Sequence, residues 1–299
     1  MFRRLFLHPV VVAFLLLVLA GNTAVARDLD EIRESGVLRH LGIPYANFVT
    51  GLGDGLDVEL VKGFAEHLGL RYEFIPTTWT TAFGDLTGRH ARLGKDGNTE
   101  FLDEVPIKGD ILANGLTVLP WRQEIVDYSA PTFPSGVWLI ARSDSELLPI
   151  SPTGTVDEDI SVVKRLIKGR DVLALENTCL DPRLYNLGAT GANVILPQRE
   201  LKLNEMAPAI LNNDAESTIL DVPDALIALD KWPGQLKVIG PVSEEQQMGA
   251  GFRKDSPKLR AAFNDYLEQI RQDGTYNRMV QEYYPTVFTY FEDFFAPNP

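Results

Sequence analysis

Ile111-Leu112-Ala113-Asn114-Gly115-Leu116-Thr117-Val118-Leu119-Pro120-Trp121-Arg122 holds a buried-strand signature and, just beyond it, a candidate ligand-gripping cation. Ile111 to Leu116 is a short, nearly unbroken apolar run of the kind that forms a strand covered on both faces. In parallel α/β sheets, ligands bind beyond the carboxyl ends of the strands, where Thr117 and Arg122 lie here.

Working outward, the same strand–helix alternation appears on both sides. Upstream, Val37 to Ile43 reads as a strand, and Val58, Val61, Phe64, Ala65 and Leu68 recur at helical spacing until Gly69 stops them. Tyr72 to Ile75 is a second short strand closed by Pro76, and Trp79, Phe83 and Leu86 share one face of a helix over 79–86. From Gly84 to Pro106 periodicity fails while glycines and charges accumulate, which predicts a long surface insertion. Downstream, strands are expected at Val137 to Ala141, Val172 to Leu175, Val194 to Leu196, Thr218 to Leu220 and Leu236 to Ile239. Between them lie a loop over 147–159 and helices at 162–167, 206–211 and 222–229. Short connections between alternating strands and helices predict parallel sheets with helices on both faces.

The ending is helical. Ser256 is a good N-cap, Pro257 suits the first helical position, and Leu259, Ala262, Phe263, Tyr266, Leu267 and Ile270 follow at helical spacing. Asp273-Gly274 closes that helix, and Tyr276, Met279, Val280 and Tyr283 mark another. The aromatic, acidic tail from Val287 to Phe295 reads either as packing onto a lobe or as a partner-binding segment.

Residues 1–26 have the layout of a cleaved secretory signal: Arg3 and Arg4, an apolar run from Val10 to Leu19, then Ala24-Val25-Ala26. A membrane anchor needs roughly 20 apolar residues, more than this run supplies. No cysteine follows the run, so release into a periplasm is expected rather than lipid anchoring. The remaining 273 residues suffice for one large domain or two ordinary ones. The whole chain carries −13, and loss of the two leader arginines makes it −15. An acidic chain without a basic cluster argues against nucleic acid and anionic membranes as partners. Cys179 is the single cysteine, so no intramolecular disulfide is possible. His8, His40, His67 and His90 lack metal-ligand spacing; the last three read as surface residues, and no metal or cofactor is expected.

Three polar groups follow predicted strands. Arg122 offers a guanidinium whose paired donors match a carboxylate, and Thr117 adds a hydroxyl. Thr178 precedes Cys179-Leu180-Asp181, where a helix start would favour an anion. Asp221, directly after Thr218 to Leu220, offers a carboxylate for an ammonium. Singly, each has a plainer reading: a surface arginine, a helix cap, an N-cap for Val222-Pro223-Asp224. Together they suit a zwitterion, provided that the two segments face each other.

The sequence resembles the periplasmic binding proteins for polar amino acids, solute-binding family 3 of ABC importers, over nearly the whole mature chain. The resemblance is carried by Ile32 to Arg39, Gly55-Leu56-Asp57, Gly115 to Arg122 with Val126 to Pro131, Leu220 to Pro223, Phe252 to Pro257 and Asp273 to Tyr276. It implies a two-lobed α/β fold of type II, each lobe a mixed, mostly parallel sheet flanked by helices. The implied lobes are 27–135 with 249–299, and 136–248, joined by crossings near Ser135-Gly136 and Met248-Gly249. It further implies that Arg122 and Thr117 bind an α-carboxylate and that Asp221 and Thr178 engage on closure. Tyr45, Phe48 and Trp79 fall where family members place aromatics over the ligand. Leu119 and Cys179 replace usual hydroxyl residues, which leaves the ligand's identity open. The implied function is capture of an amino-acid-like solute by cleft closure for a membrane permease. A sensor or accessory protein that docks through the tail is the alternative. So is an enzyme resembling cyclohexadienyl dehydratases, with Glu176 as its acid. The sequence is also similar to the solute-binding module of some lytic transglycosylases; no transglycosylase domain is expected here, so that activity is not carried over.

Overall fold

The computed structural model describes residues 27–51, 53–198 and 201–296; the proposed signal at 1–26 lies outside them. The chain begins with α1 (Leu29–Ser35), whose Asp28 and Glu31 form a reciprocal capping box, before β1 (Val37–Gly42). Next come α2 (Leu56–His67) and β2 (Arg71–Pro76), then α3 (Ala82–Thr87), β3 (Arg89–Leu93), β4 (Thr99–Glu104) and β5 (Ile111–Leu112). A short α4 (Pro120–Gln123) leads to β6 (Asp127–Tyr128), β7 (Phe133–Ser135) and β8 (Val137–Arg142). The second half runs α5 (Val156–Leu166), β9 (Asp171–Leu173), β10 (Asn193–Ile195), α6 (Met206–Leu211), β11 (Ser217–Asp221), α7 (Val222–Lys231) and β12 (Leu236–Pro241). It returns through β13 (Gln246–Met248) and β14 (Gly251–Phe252) to α8 (Pro257–Gln272), α9 (Thr275–Tyr283), α10 (Val287–Tyr290) and α11 (Glu292–Phe295).

Two five-stranded sheets result, ordered β2-β1-β5-β14-β6 and β10-β9-β11-β8-β12. In the first, β1 runs parallel to β2 and β5, and only β14 reverses. In the second, β9 runs parallel to β10 and β11, and only β8 reverses. Each sheet is therefore mixed and mostly parallel, and with its helices forms one lobe of a two-lobed α/β fold. Between them lies an antiparallel ribbon in which Ser135 of β7 pairs with Gln246 and Phe133 pairs with Met248 of β13. The chain thus leaves the first sheet and returns to it at adjacent points.

Several local expectations are corrected. The strand at 111–116 stops at Leu112, because Gly115 takes φ +67° and gives its N–H to Asp57 Oδ2 at 2.6 Å rather than to a ladder. The stretch 84–106 is no irregular loop. It finishes α3 and then forms the antiparallel hairpin β3–β4, in register from Arg92–Glu100 to Leu93–Thr99. Alternation was hidden because β4 is mostly exposed and carries Glu100, Asp103 and Glu104. The 147–159 loop yields to α5 from Val156, where Thr155 accepts from Glu158 N–H. His40 is wholly buried, bridging Tyr72 Oη and the Ala113 carbonyl, and burial lowers its pKa to about 4. The tail packs: Val287 and Phe295 are buried, and Phe295 meets Phe133 with ring centroids 6.1 Å apart.

Candidate functional site

Arg122 sits in α4, a one-turn helix started by Pro120 just beyond the carboxyl end of β5. It is 1 % exposed. Its guanidinium carbon lies 5.4 Å from the Trp79 ring centroid and 5.3 Å from that of Trp121, so the cation is housed between aromatic faces. Nη1 donates to the Thr117 carbonyl at 3.0 Å, while Nε and the nearby Thr117 Oγ1 are buried without protein partners. Unpaired buried donors of this kind cost free energy unless something accepts from them.

Asp221 ends β11 and stands at the N-cap of α7, but its carboxylate makes no cap bond to that helix. Oδ2 accepts from Tyr45 Oη at 3.0 Å and from Cys179 Sγ at 2.8 Å; Oδ1 is buried and unpartnered. Burial pushes the Asp221 carboxyl up to about 6, against the hydrogen bonds from Cys179 and Tyr45 and the charge of Arg122. Asp221 belongs to the second sheet and Arg122 to the first lobe. They sense each other's charge, yet no ion pair joins them among the described residues.

The remaining candidates divide. Tyr45 is buried and reaches Asp221 directly, with Trp79 edge-on at 6.0 Å between centroids. Phe48 instead is core. Its ring packs against Phe133, Tyr284 and Gly115, and a Cβ added at Gly115 would stand 2.3 Å from it. Thr178 lies in the cleft but starts no helix: residues 176–186 are turns and bends, and the first helical segment is a 3₁₀ turn at Leu187–Thr190. Its hydroxyl donates to the Leu175 carbonyl at 2.8 Å and accepts from Leu180 N–H at 3.0 Å, closing a local turn. The expected helix-dipole anion site is therefore not formed, because side-chain-to-backbone bonds from Thr178 and Asp181 hold the chain in turns. Between the lobes a cavity of about 450 Å³ is lined by Trp79 and Trp121 on one side and Glu176 and Thr178 on the other.

The model for bacterial extracellular solute-binding proteins, family 3, matches residues 107–286. This chain belongs to that family. The matched span contains Thr117, Arg122, Thr178 and Asp221. Among curated relatives, the L-cystine-binding protein TcyJ of Escherichia coli (strain K12) is 21% identical over 77% of this chain and 74% of its own length. A membrane-bound lytic murein transglycosylase F from Desulfosudis oleivorans is 24% identical over 79% of this chain, which spans only 45% of that relative. In fold, the chain is similar to a P235GK mutant of ArgBP from T. maritima, with TM-score 0.64 and 22% identity over 86% of this chain and 98% of that one. Family 3 consists mainly of extracellular binding proteins that take small solutes, and no helix among the described residues is long and apolar enough to cross a membrane.

Within this family 3 chain, the structure adds Cys179 and Asp224 to the neighbourhood of Asp221, and a buried Asn114 next to Gly115. Asn114 is wholly buried with both amide atoms unpartnered; an Asn inside an apolar strand run was the available signal. Cys179 donates to Asp221, and burial, reinforced by that carboxylate, holds its thiol well above the usual range, so it is protonated. Asp224, one turn after Asp221, is buried with Oδ2 unpartnered, and burial followed by the charge of Asp221 pushes it up to about 8. Its spacing from Asp221 on the first turn of α7 was legible, but its burial was not.

Proposed function

We propose that the protein binds an amino acid or similar small zwitterion in a periplasm, for an ABC importer, by closing two lobes over it. The lobes comprise 27–135 with 249–299, and 136–248, hinged at the β7–β13 ribbon. The observation that carries the reading is a pair of opposite charges from the two lobes, both buried and each with an unpartnered polar atom: Arg122 Nε and Asp221 Oδ1. Arg122 and Thr117 would take the ligand's carboxylate, and Asp221 its ammonium, through charge-assisted hydrogen bonds. Closure is then a population shift, favoured because only the closed form offers both partners at once. A membrane permease would read that form. The comparisons support solute binding: the cystine-binding and arginine-binding relatives name amino acids as ligands. Calorimetric titration of an amino-acid panel tests it. A parent protein that binds some member and an Arg122→Ala variant that loses at least tenfold in affinity support the reading; unchanged affinity overturns it.

A second reading has one observation behind it. Asp224 is a buried carboxyl raised to about 8, neutral at pH 7 and able to donate a proton, and one structural neighbour is an ancestral amino-acid-binding precursor of cyclohexadienyl dehydratase. Glu176, the acid expected from the sequence, is exposed. Prephenate or arogenate turnover followed by absorbance decides between enzyme and binder.

A further inference from the structure

We propose that the hairpin β3–β4 builds a second compartment of the ligand site, one that takes a bulky, partly apolar side-chain substituent carried on the amino-acid head. The inference rests on the zwitterion reading above and names the ligand class more narrowly. The compartment is the interlobe cavity of about 450 Å³, within the range of pockets that hold ligands larger than a single amino acid. At about 30 Å³ per water this is roughly fifteen waters' worth, more than any proteinogenic side chain fills.

Its walls come from both lobes and combine apolar side chains with polar ones, Arg92 on the hairpin and Glu176, Asn177 and Gln198 on the second lobe. Leu102 on the hairpin is 37 % exposed and Leu196 beyond β10 is 41 % exposed, and both line the cavity. Single exposed leucines are ordinary. Two, one from each lobe, lining one cavity together with Trp79, Trp121 and Pro197, give it an apolar portion that a substituent would cover. Trp121 also lines the cavity, and its indole N–H is buried without a partner, leaving one donor that a polar atom of that substituent could use. Continuity with the head site runs through two residues. Trp79 lines the cavity and also flanks the Arg122 guanidinium, while Thr178 lines it and precedes Cys179, the donor to Asp221.

The hairpin wall is tied to the second lobe. Arg183 grips Asp181 with two bonds, Nε to Oδ1 at 2.8 Å and Nη2 to Oδ2 at 2.6 Å, and its remaining nitrogen, Nη1, donates to the Gly94 carbonyl at the hairpin turn, 3.2 Å away. Leu184 beside it packs on the first-lobe cluster that includes Ala91, Leu93 and Trp121. Without the hairpin, the cavity would lose Ala91, Arg92 and Leu102.

S-benzyl-L-cysteine and L-alanine share head and net charge and differ in the substituent alone, so calorimetric titration of the full chain with both is the test. We expect S-benzyl-L-cysteine to bind at least tenfold more tightly than L-alanine. Leu102→Asp and Leu196→Asp, both at exposed positions, should each remove most of that advantage while leaving L-alanine affinity unchanged. Equal or weaker binding of S-benzyl-L-cysteine, or an advantage that survives both substitutions, overturns the compartment while the zwitterion reading stands. If neither probe nor any member of the amino-acid panel binds, the zwitterion reading itself falls and takes this inference with it.

Discussion

Tyr45 and Asp221, 176 positions apart and in different lobes, share a buried hydrogen bond of 3.0 Å. One end is anchored beside the first sheet by the short bridge of Tyr45 with Val49, and the other at the carboxyl end of β11. Tyr45 therefore does two things: it supports the negative charge of Asp221 and it joins the lobes. Tyr45→Phe keeps the ring and deletes the donor, leaving a buried acceptor short of one bond. An expected loss of about 1–3 kcal/mol follows from the cost of stranding such a group. Urea unfolding at pH 7.5 measures it, and a change near zero shows that the bond is not maintained in solution.

Gly115 links the strand end to the proposed head site. Its φ of +67° lies in the left-handed region, and an added Cβ would stand 2.3 Å from Phe48 Cδ2. Gly115→Ala then combines left-handed strain with overpacking, an expected cost of about 2–4 kcal/mol. Thermal unfolding gives the readout. Because Gly115 sets the path into Thr117 and Arg122, solute affinity is expected to fall as well.

Stability should fall as pH rises through neutrality. Asp224 has a folded pKa of about 8 against an ordinary value of 3.8, so between those values the folded state holds more protons than the unfolded one. The stabilisation it brings is complete below pH 3.8 and gone by pH 8. His40, lowered to about 4, acts in the opposite direction, but only between about 4 and 6.5. The window from pH 6.5 to 8 thus isolates the carboxyl groups. Asp57, raised to about 7 by burial, contributes in its lower part. Midpoint temperatures should decline across that window, and Asp224→Asn should flatten the decline and raise stability at pH 8. An unaltered slope in the variant would mean that Asp224 ionises freely.

Arg183 is the bridge between Asp181 and the hairpin turn. Arg183→Ala should remove the second-lobe donor from the Gly94 carbonyl, which keeps only its turn bond from Gly97 N–H, and let the hairpin move away from the second lobe. Hydrogen exchange at the turn amides of Gly97 and Asn98 is expected to speed up several-fold, with exchange in β9 and β11 unchanged. Uniform acceleration across both sheets would point to general destabilisation instead.

The two-lobed class followed from the resemblance to family 3, while the residues themselves determined the alternation of strands and helices and the long α8 with its Ser256-Pro257 start. Those features are local: apolar spacing and turn chemistry act within a few residues, so they can be read in order along the chain. The sequence also pointed to Arg122 and Asp221, because strand ends in such folds face the ligand. Tertiary structure alone decided which polar groups lost water. His40 looks like a surface residue in the chain, Phe48 falls where the family resemblance expects a ligand cover, and Thr178 looks like a helix start. Burial, a core ring packed on Gly115, and a self-satisfied turn reversed those readings, since desolvation and partner choice depend on groups that arrive from distant positions. The hairpin at 89–104 was hidden for a related reason: its outward faces carry charge, and only pairing across the turn, with the second lobe against its tip, makes it a wall.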